Sequence, residues 1–249
     1  MAKSLIMFDD SDYLDKKNQI TFFINCTRKI ADLFNDPMNP YGNYLKSQFK
    51  SNHEQPEDFI TILRSNAILM IYNCIESTAL NVINNIYQNI NNENIAYIDL
   101  IDEFRNLWRE YQYSNHKSHE QLSDKKYKQT ADNMIETILK FEKIQFQKND
   151  IKLSGDADYI SIKKILKKHA IKLNNNQSQE TIKNELFKIK ERRNNLAHGN
   201  ESFIEVGRNI SDDDLLNISK YAFKFLEVII NSGNKLIISK SYLKNRKMD

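Results

Sequence analysis

The chain has 249 residues, of which 28% are charged, yet its formal net charge is only +3. That length can bury a core without disulfide or metal staples, and the near balance of charge excludes a global field as the means of holding a polyanion, leaving that role to a local basic face. The N-terminal "MAKSLIMFDDSD" has too few apolar residues for a secretory signal, and no run approaches the roughly 20 apolar residues of a membrane span, so a soluble cytoplasmic protein is expected.

Taken in chain order, an N-terminal helix is followed by Pro37, Pro40 and Pro56, which predict an irregular proline-containing loop near residues 36 to 57. From Thr61 to Tyr87, Leu63, Ala67, Met70, Cys74, Thr78, Val82 and Ile86 recur at three- and four-residue steps, the stripe of a long amphipathic helix. Cys26 and Cys74 both fall in helical patterns and read as small buried hydrophobes with free thiols. Helical spacing returns over Asp99 to Tyr111, with Leu100, Phe104, Leu107 and Trp108, and over Tyr127 to Gln145, with Ala131, Met134, Ile138 and Phe141. Between these two, His116 and His119 have the spacing of a metal pair but lack a clear third ligand, and neither metal nor cofactor is expected. Ser211, with Asp214 three residues on, resembles a capping box opening a helix through Leu215, Ile218, Ala222, Phe225 and Ile229. Strand alternation of comparable length is lacking, and no internal repeat is found. The expectation is one all-α domain over 1–249: an N-terminal helix and proline-containing loop over 1–56, and a helical bundle over 57–249.

The segment "KERRNNLAHGNESF", Lys190 to Phe203, departs from this pattern. Its helix carries Ile182, Leu186 and Ile189, and the next position on that stripe is Arg193, not a leucine. Asn194 and His198 are four apart and share a second face, and Gly199 offers the left-handed residue that commonly ends a helix. Ordinary accounts exist for each residue. An arginine on an apolar stripe can extend its head group to water, and a histidine in the last turn interacts favourably with the macrodipole. Five residues turn about 140° around an ideal helix, so Arg193 and His198 are not stacked on one face. They converge if His198 has left helical geometry, or if a second copy of the helix faces the first across a two-fold axis.

"RNNLAH", Arg193 to His198, resembles the signature of HEPN-domain ribonucleases. The continuation "GNESFIEVGRNISDDDL", the upstream "ILRSNAILMIYNCIEST" and the middle "LSGDADYISIKKILKKHAI" are similar to one prokaryotic HEPN family encoded with toxin-antitoxin and phage-defence loci, so the resemblance runs from about Phe59 to Lys240. It implies a helical bundle that forms a homodimer, with two such motifs facing each other in a shared cleft and cutting RNA without metal. In that scheme His198 transfers protons, Arg193 stabilises charge developing on the phosphate, and Asn194 orients the histidine or contacts substrate. The alternative is a non-catalytic HEPN module that binds RNA or scaffolds a toxin-antitoxin or defence complex. An antitoxin or another defence-system protein is the expected partner. A tyrosine two residues after the histidine is the modified residue in some HEPN toxins; Asn200 stands there instead, so silencing by that route is not expected.

Supporting candidates lie elsewhere. Glu76, with Asn73 one turn earlier, interrupts an apolar helix in "IYNCIEST" and either supports the site or makes an interhelical hydrogen bond. Arg192 adjoins the motif. Lys163, Lys164, Lys167 and Lys168 form a basic face, and with Lys190 they are the candidate RNA contacts, although such a face is commonly just solvated. The "KNRK" near the end could likewise touch RNA.

Overall fold

Pro56 opens the longest helix at the position where proline's missing N–H costs no hydrogen bond. In a computed structural model of the chain, which describes residues 5–51, 55–114, 124–148, 151, 153, 155, 157–173 and 179–244, this helix is the longest element. Nine α-helices occur among the described residues: α1 (Ser11–Asn35), α2 (Pro40–Ser51), α3 (Pro56–Glu93), α4 (Asp102–Ser114), α5 (Asp124–Leu139), α6 (Tyr159–Lys168), α7 (Gln179–His198), α8 (Phe203–Arg208) and α9 (Asp212–Ile238). A short 3₁₀ turn spans Tyr97–Asp99. Isolated bridges join Ala96 to Lys143 and Leu100 to Leu243, and no strand is built among the described residues. None of the described helices is long and apolar enough to cross a membrane.

The all-α expectation holds, with three differences. The segment expected as an irregular loop contains α2, which begins at Pro40: two of the three prolines start helices, and the breaker signal marks boundaries, not a loop. The long helix runs to Glu93, 38 residues or about 57 Å. Half of those 38 residues are buried, so α3 is covered on several faces where a single stripe was expected. It packs against α1, α7, α8 and α9, and each fully buried isoleucine, such as Ile68, Ile71, Ile75 and Ile83, contributes about 2 kcal/mol. The later helices also end differently, α4 starting at Asp102 and α5 stopping at Leu139. Cys74 is buried and Cys26 half-buried, both as free thiols.

Two close approaches position the chain around α7. A Cβ on Gly207 would fall 1.9 Å from the carbonyl oxygen of Thr61, so α8 touches α3 backbone to backbone. Beside this contact, Ser65 Oγ donates to the Phe203 carbonyl at 2.6 Å. On α9, Ser211 forms the expected capping box with Asp214, and Arg64 of α3 grips Asp212 through Nε at 2.8 Å and Nη2 at 3.0 Å.

His169, just past α6, is 1% exposed. Its Nδ1 lies 2.7 Å from the Ile165 carbonyl, which can only accept, so Nδ1 carries the proton and Nε2 accepts from Tyr87 Oη at 2.6 Å. Tyr111 Oη lies 2.6 Å from Tyr87 Oη and completes a buried polar chain. Burial holds the His169 pKa down at about 4, so this imidazole is neutral at physiological pH.

Two outcomes follow from this packing. Gly207→Ala should lower the melting temperature by roughly 2–10 °C, because the helices must separate to admit a methyl group; an unchanged melting curve would contradict the close approach. Because the unfolded chain protonates His169 near pH 6.5 and the folded one only near pH 4, the residue's contribution is complete above pH 6.5. As pH falls from 6.5 to 4, up to about 3 kcal/mol is lost, and below pH 4 the loss levels off. Urea titrations at stepped pH should show this slope in the parent and a flatter one in His169→Gln.

Candidate functional site

The turn after α7 explains why His198 sits where it does. Gly199 adopts φ +68°. Its N–H donates to the Leu196 carbonyl at 3.3 Å, and the Asn200 N–H donates to the Asn195 carbonyl at 2.9 Å, the paired bonds of a Schellman ending. The Asn195 side chain donates to Glu201, tightening the same turn. Three residues later Ser202 and Glu205 form a second capping box, one not read from the sequence, and start α8 at once. His198 is therefore the last residue of α7, held between a capped helix end and a helix docked on α3. Its side chain is exposed at the C-terminal end of α7.

Arg193 takes the inward position that the stripe predicts. Ile182, Leu186 and Ile189 are buried on α7, and Arg193 continues their line half-buried. Its guanidinium lies 4.7 Å from the ring centre of Tyr72, a residue of α3 with 0% exposure. Such a desolvated cation–π contact contributes about 1–2 kcal/mol. Nη1 donates to Asn194 Oδ1 at 3.1 Å, so the expected partner of the histidine here engages the arginine. Among the described residues, Arg28, Arg64, Arg105 and Arg208 each pair with a carboxylate, whereas none lies within ion-pair distance of Arg193. Among the described residues, then, the guanidinium is held in place by an aromatic ring and an amide oxygen and not by a carboxylate.

Glu76, one turn after Tyr72 on α3, is half-buried and accepts from the Gly155 N–H at 3.3 Å. The Ala157 N–H donates to Tyr72 Oη at 3.2 Å. Gly155 has φ +77°, and its Cβ position lies 3.8 Å from Arg193 Nη1. Arg193, Asn194, Tyr72, Glu76 and Gly155 are therefore one cluster. Asn73 shares α3 but faces solvent. Because His198 keeps helical geometry to the end of α7, it does not turn back toward Arg193, and the convergence considered from the sequence does not occur within one chain.

The remaining candidates are placed apart. Arg192 points to the α7–α9 side, where Nη2 donates to the Asn209 carbonyl at 3.4 Å and Nη1 is buried with no acceptor among the described residues. It borders a cavity of about 350 Å³ shared with Thr181, Glu185, Lys188, Asn217 and Tyr221. Lys190 pairs with Asp158 at 2.8 Å. Burial alone would raise the Asp158 carboxyl, but the Lys190 and Ser161 hydrogen bonds outweigh it and hold the pKa below the usual aspartate value. Lys163, Lys164, Lys167 and Lys168 are exposed on α6; Lys163 Nζ sits 5.5 Å from the Tyr159 ring centre and Lys168 pairs with Glu110 at 2.9 Å. His116, His119 and most of "KNRK" lie outside the described residues. Tyr72 and Gly155 were missed in the sequence; their only signal is a tyrosine one turn before the flagged Glu76, and a glycine in a block already matched to the family.

The family model of the HEPN_MAE_28990-like HEPN domain matches residues 43–242, reaching from within α2 to beyond α9. No curated protein and no solved structure matches the chain. The match takes in the four sequence blocks, the capped α7 end and the whole of α3, and its start shows that the family's own sequence extends N-terminal to Phe59. On this match and its all-helical bundle, the chain belongs to the HEPN_MAE_28990-like HEPN family.

Proposed function

We propose that the chain is an endoribonuclease that cuts RNA without a metal ion, at a composite site formed by two copies, and that it acts as a toxin or antiphage effector restrained by a partner protein. The observation that supports this most is the state of Arg193: a guanidinium fixed on the Tyr72 ring, free of any carboxylate pair among the described residues, on the helix that ends in an exposed His198. A purely structural helix has no packing need for a half-buried cation, free of any carboxylate among the described residues, on the element that ends in a solvent-facing imidazole.

The chemistry uses few groups. The 2′-hydroxyl of a ribose loses its proton to an imidazole and its oxygen attacks the adjacent phosphorus. The bond to the 5′-oxygen breaks, and that oxygen leaves with a proton supplied by an imidazolium, giving a 2′,3′-cyclic phosphate and a 5′-hydroxyl. Arginine's planar fork suits the two non-bridging oxygens as negative charge builds on them. Asn194, by accepting from Arg193 Nη1, limits the rotation of that fork. The exposed lysines of α6 would extend the phosphate contacts along the strand.

Labelled RNA incubated with purified protein in EDTA tests the reading. Cleavage should survive chelation and leave cyclic phosphate ends; His198→Ala should slow it by roughly 10²–10⁴-fold and Arg193→Ala by roughly 10²–10³-fold, both variants remaining folded. Unchanged cleavage in His198→Ala contradicts the mechanism, and RNA binding without cleavage by the parent protein favours the non-catalytic module.

A further inference from the structure

We infer that Tyr72 is a positioning residue for Arg193: its ring sets the guanidinium, and its hydroxyl, with the Glu76 carboxylate, holds the Ala157 and Gly155 amides, Gly155 lying against that same guanidinium. The proposal rests on the ribonuclease reading for its kinetic part and on geometry alone for the rest.

Tyr72 and Glu76 are four residues apart on α3 and so project from one face. Each accepts from a different backbone amide, Tyr72 Oη from Ala157 N–H at 3.2 Å and Glu76 from Gly155 N–H at 3.3 Å. Gly155 lies against Arg193, with the Cβ position 3.8 Å from Nη1, while the ring contact is 4.7 Å. A phenylalanine at 72 would supply the ring, and a leucine would fill the core, but only tyrosine does both jobs and also accepts from Ala157. Glycine at 155 is matched to the same purpose, since its φ of +77° disfavours any side chain. The arrangement fixes a flexible cation from two directions, through the Tyr72 ring and the backbone at Gly155, with no carboxylate of the described residues paired to it, and so holds the fork ready for an incoming phosphate.

A core tyrosine with no such role would lower stability when replaced and do nothing more, so the test reads the arginine itself. In isotope-labelled full-length protein, the Arg193 side-chain resonances, assigned by their loss in Arg193→Lys, should be displaced upfield by the Tyr72 ring. Tyr72→Phe should keep that displacement, and Tyr72→Leu should abolish it. With RNA, Tyr72→Leu should cut kcat on the order of a hundredfold with KM little changed, and Tyr72→Phe, which keeps the ring and loses the bond to Ala157, should cost on the order of threefold to tenfold. Arg193 resonances at random-coil positions in the parent protein overturn the proposal, and so does a displacement or a kcat that survives Tyr72→Leu. Should Tyr72→Leu not fold, the parent spectrum and the comparison of Tyr72→Phe with it still decide. A displaced Arg193 signal in a parent protein that cuts no RNA would retire the ribonuclease reading and leave the placement of Arg193 standing.

Discussion

Burial of α3 on several sides at once is the constraint from which the candidate site follows. A helix with half of 38 residues buried cannot present one apolar stripe to one neighbour; it must be wrapped. The wrapping elements are α1, α7, α8 and α9, and three of these carry the motif or its flanks. Gly207 lets α8 lie on the Thr61 carbonyl, Arg64 anchors the start of α9, and Tyr72 receives Arg193 from α7. The ends of α7 and α8 are closed by their own caps, so the segment between them has little freedom.

Electrostatics separates the neighbouring arginines and lysines of the motif into distinct roles. Arg192 faces α9 and the Asn209 carbonyl, and Lys190 is held by Asp158 at the start of α6. Arg193 rests on an aromatic ring, whose quadrupole stabilises the cation without cancelling its charge. Of the two histidines among the described residues, His169 is locked neutral in a buried tyrosine chain, and His198 alone is open to solvent. A reaction at this surface that moves a proton through histidine therefore has one described imidazole to use.

How much of this was readable in the sequence depended on range. Gly199 as a helix ending, Ser211 with Asp214 as a capping box, and Arg193 on the Ile182–Leu186–Ile189 line are all local patterns, and each holds. Pro40 and Pro56 were read as loop signals although proline at the first helical position is equally local; α2 was lost to that choice. Tyr72 was hidden because a tyrosine within an isoleucine-rich helix is indistinguishable from core until its partner, 121 positions away, is known. The Glu76 bond to Gly155 and the Lys190 pair with Asp158 were hidden in the same way, joining residues 79 and 32 apart.

On the proposed account a single chain holds half of a site, with Arg193 inward on α7 and His198 exposed at its end, and the second copy supplies the complement. Mixing two inactive variants tests this most directly. When Arg193→Ala and His198→Ala proteins are unfolded together and refolded, about half of the dimers should be mixed, each with one complete arginine–histidine pair across the interface. RNA cleavage should return to about a quarter of the parent rate. A mixture as inactive as its separate components would contradict the composite site.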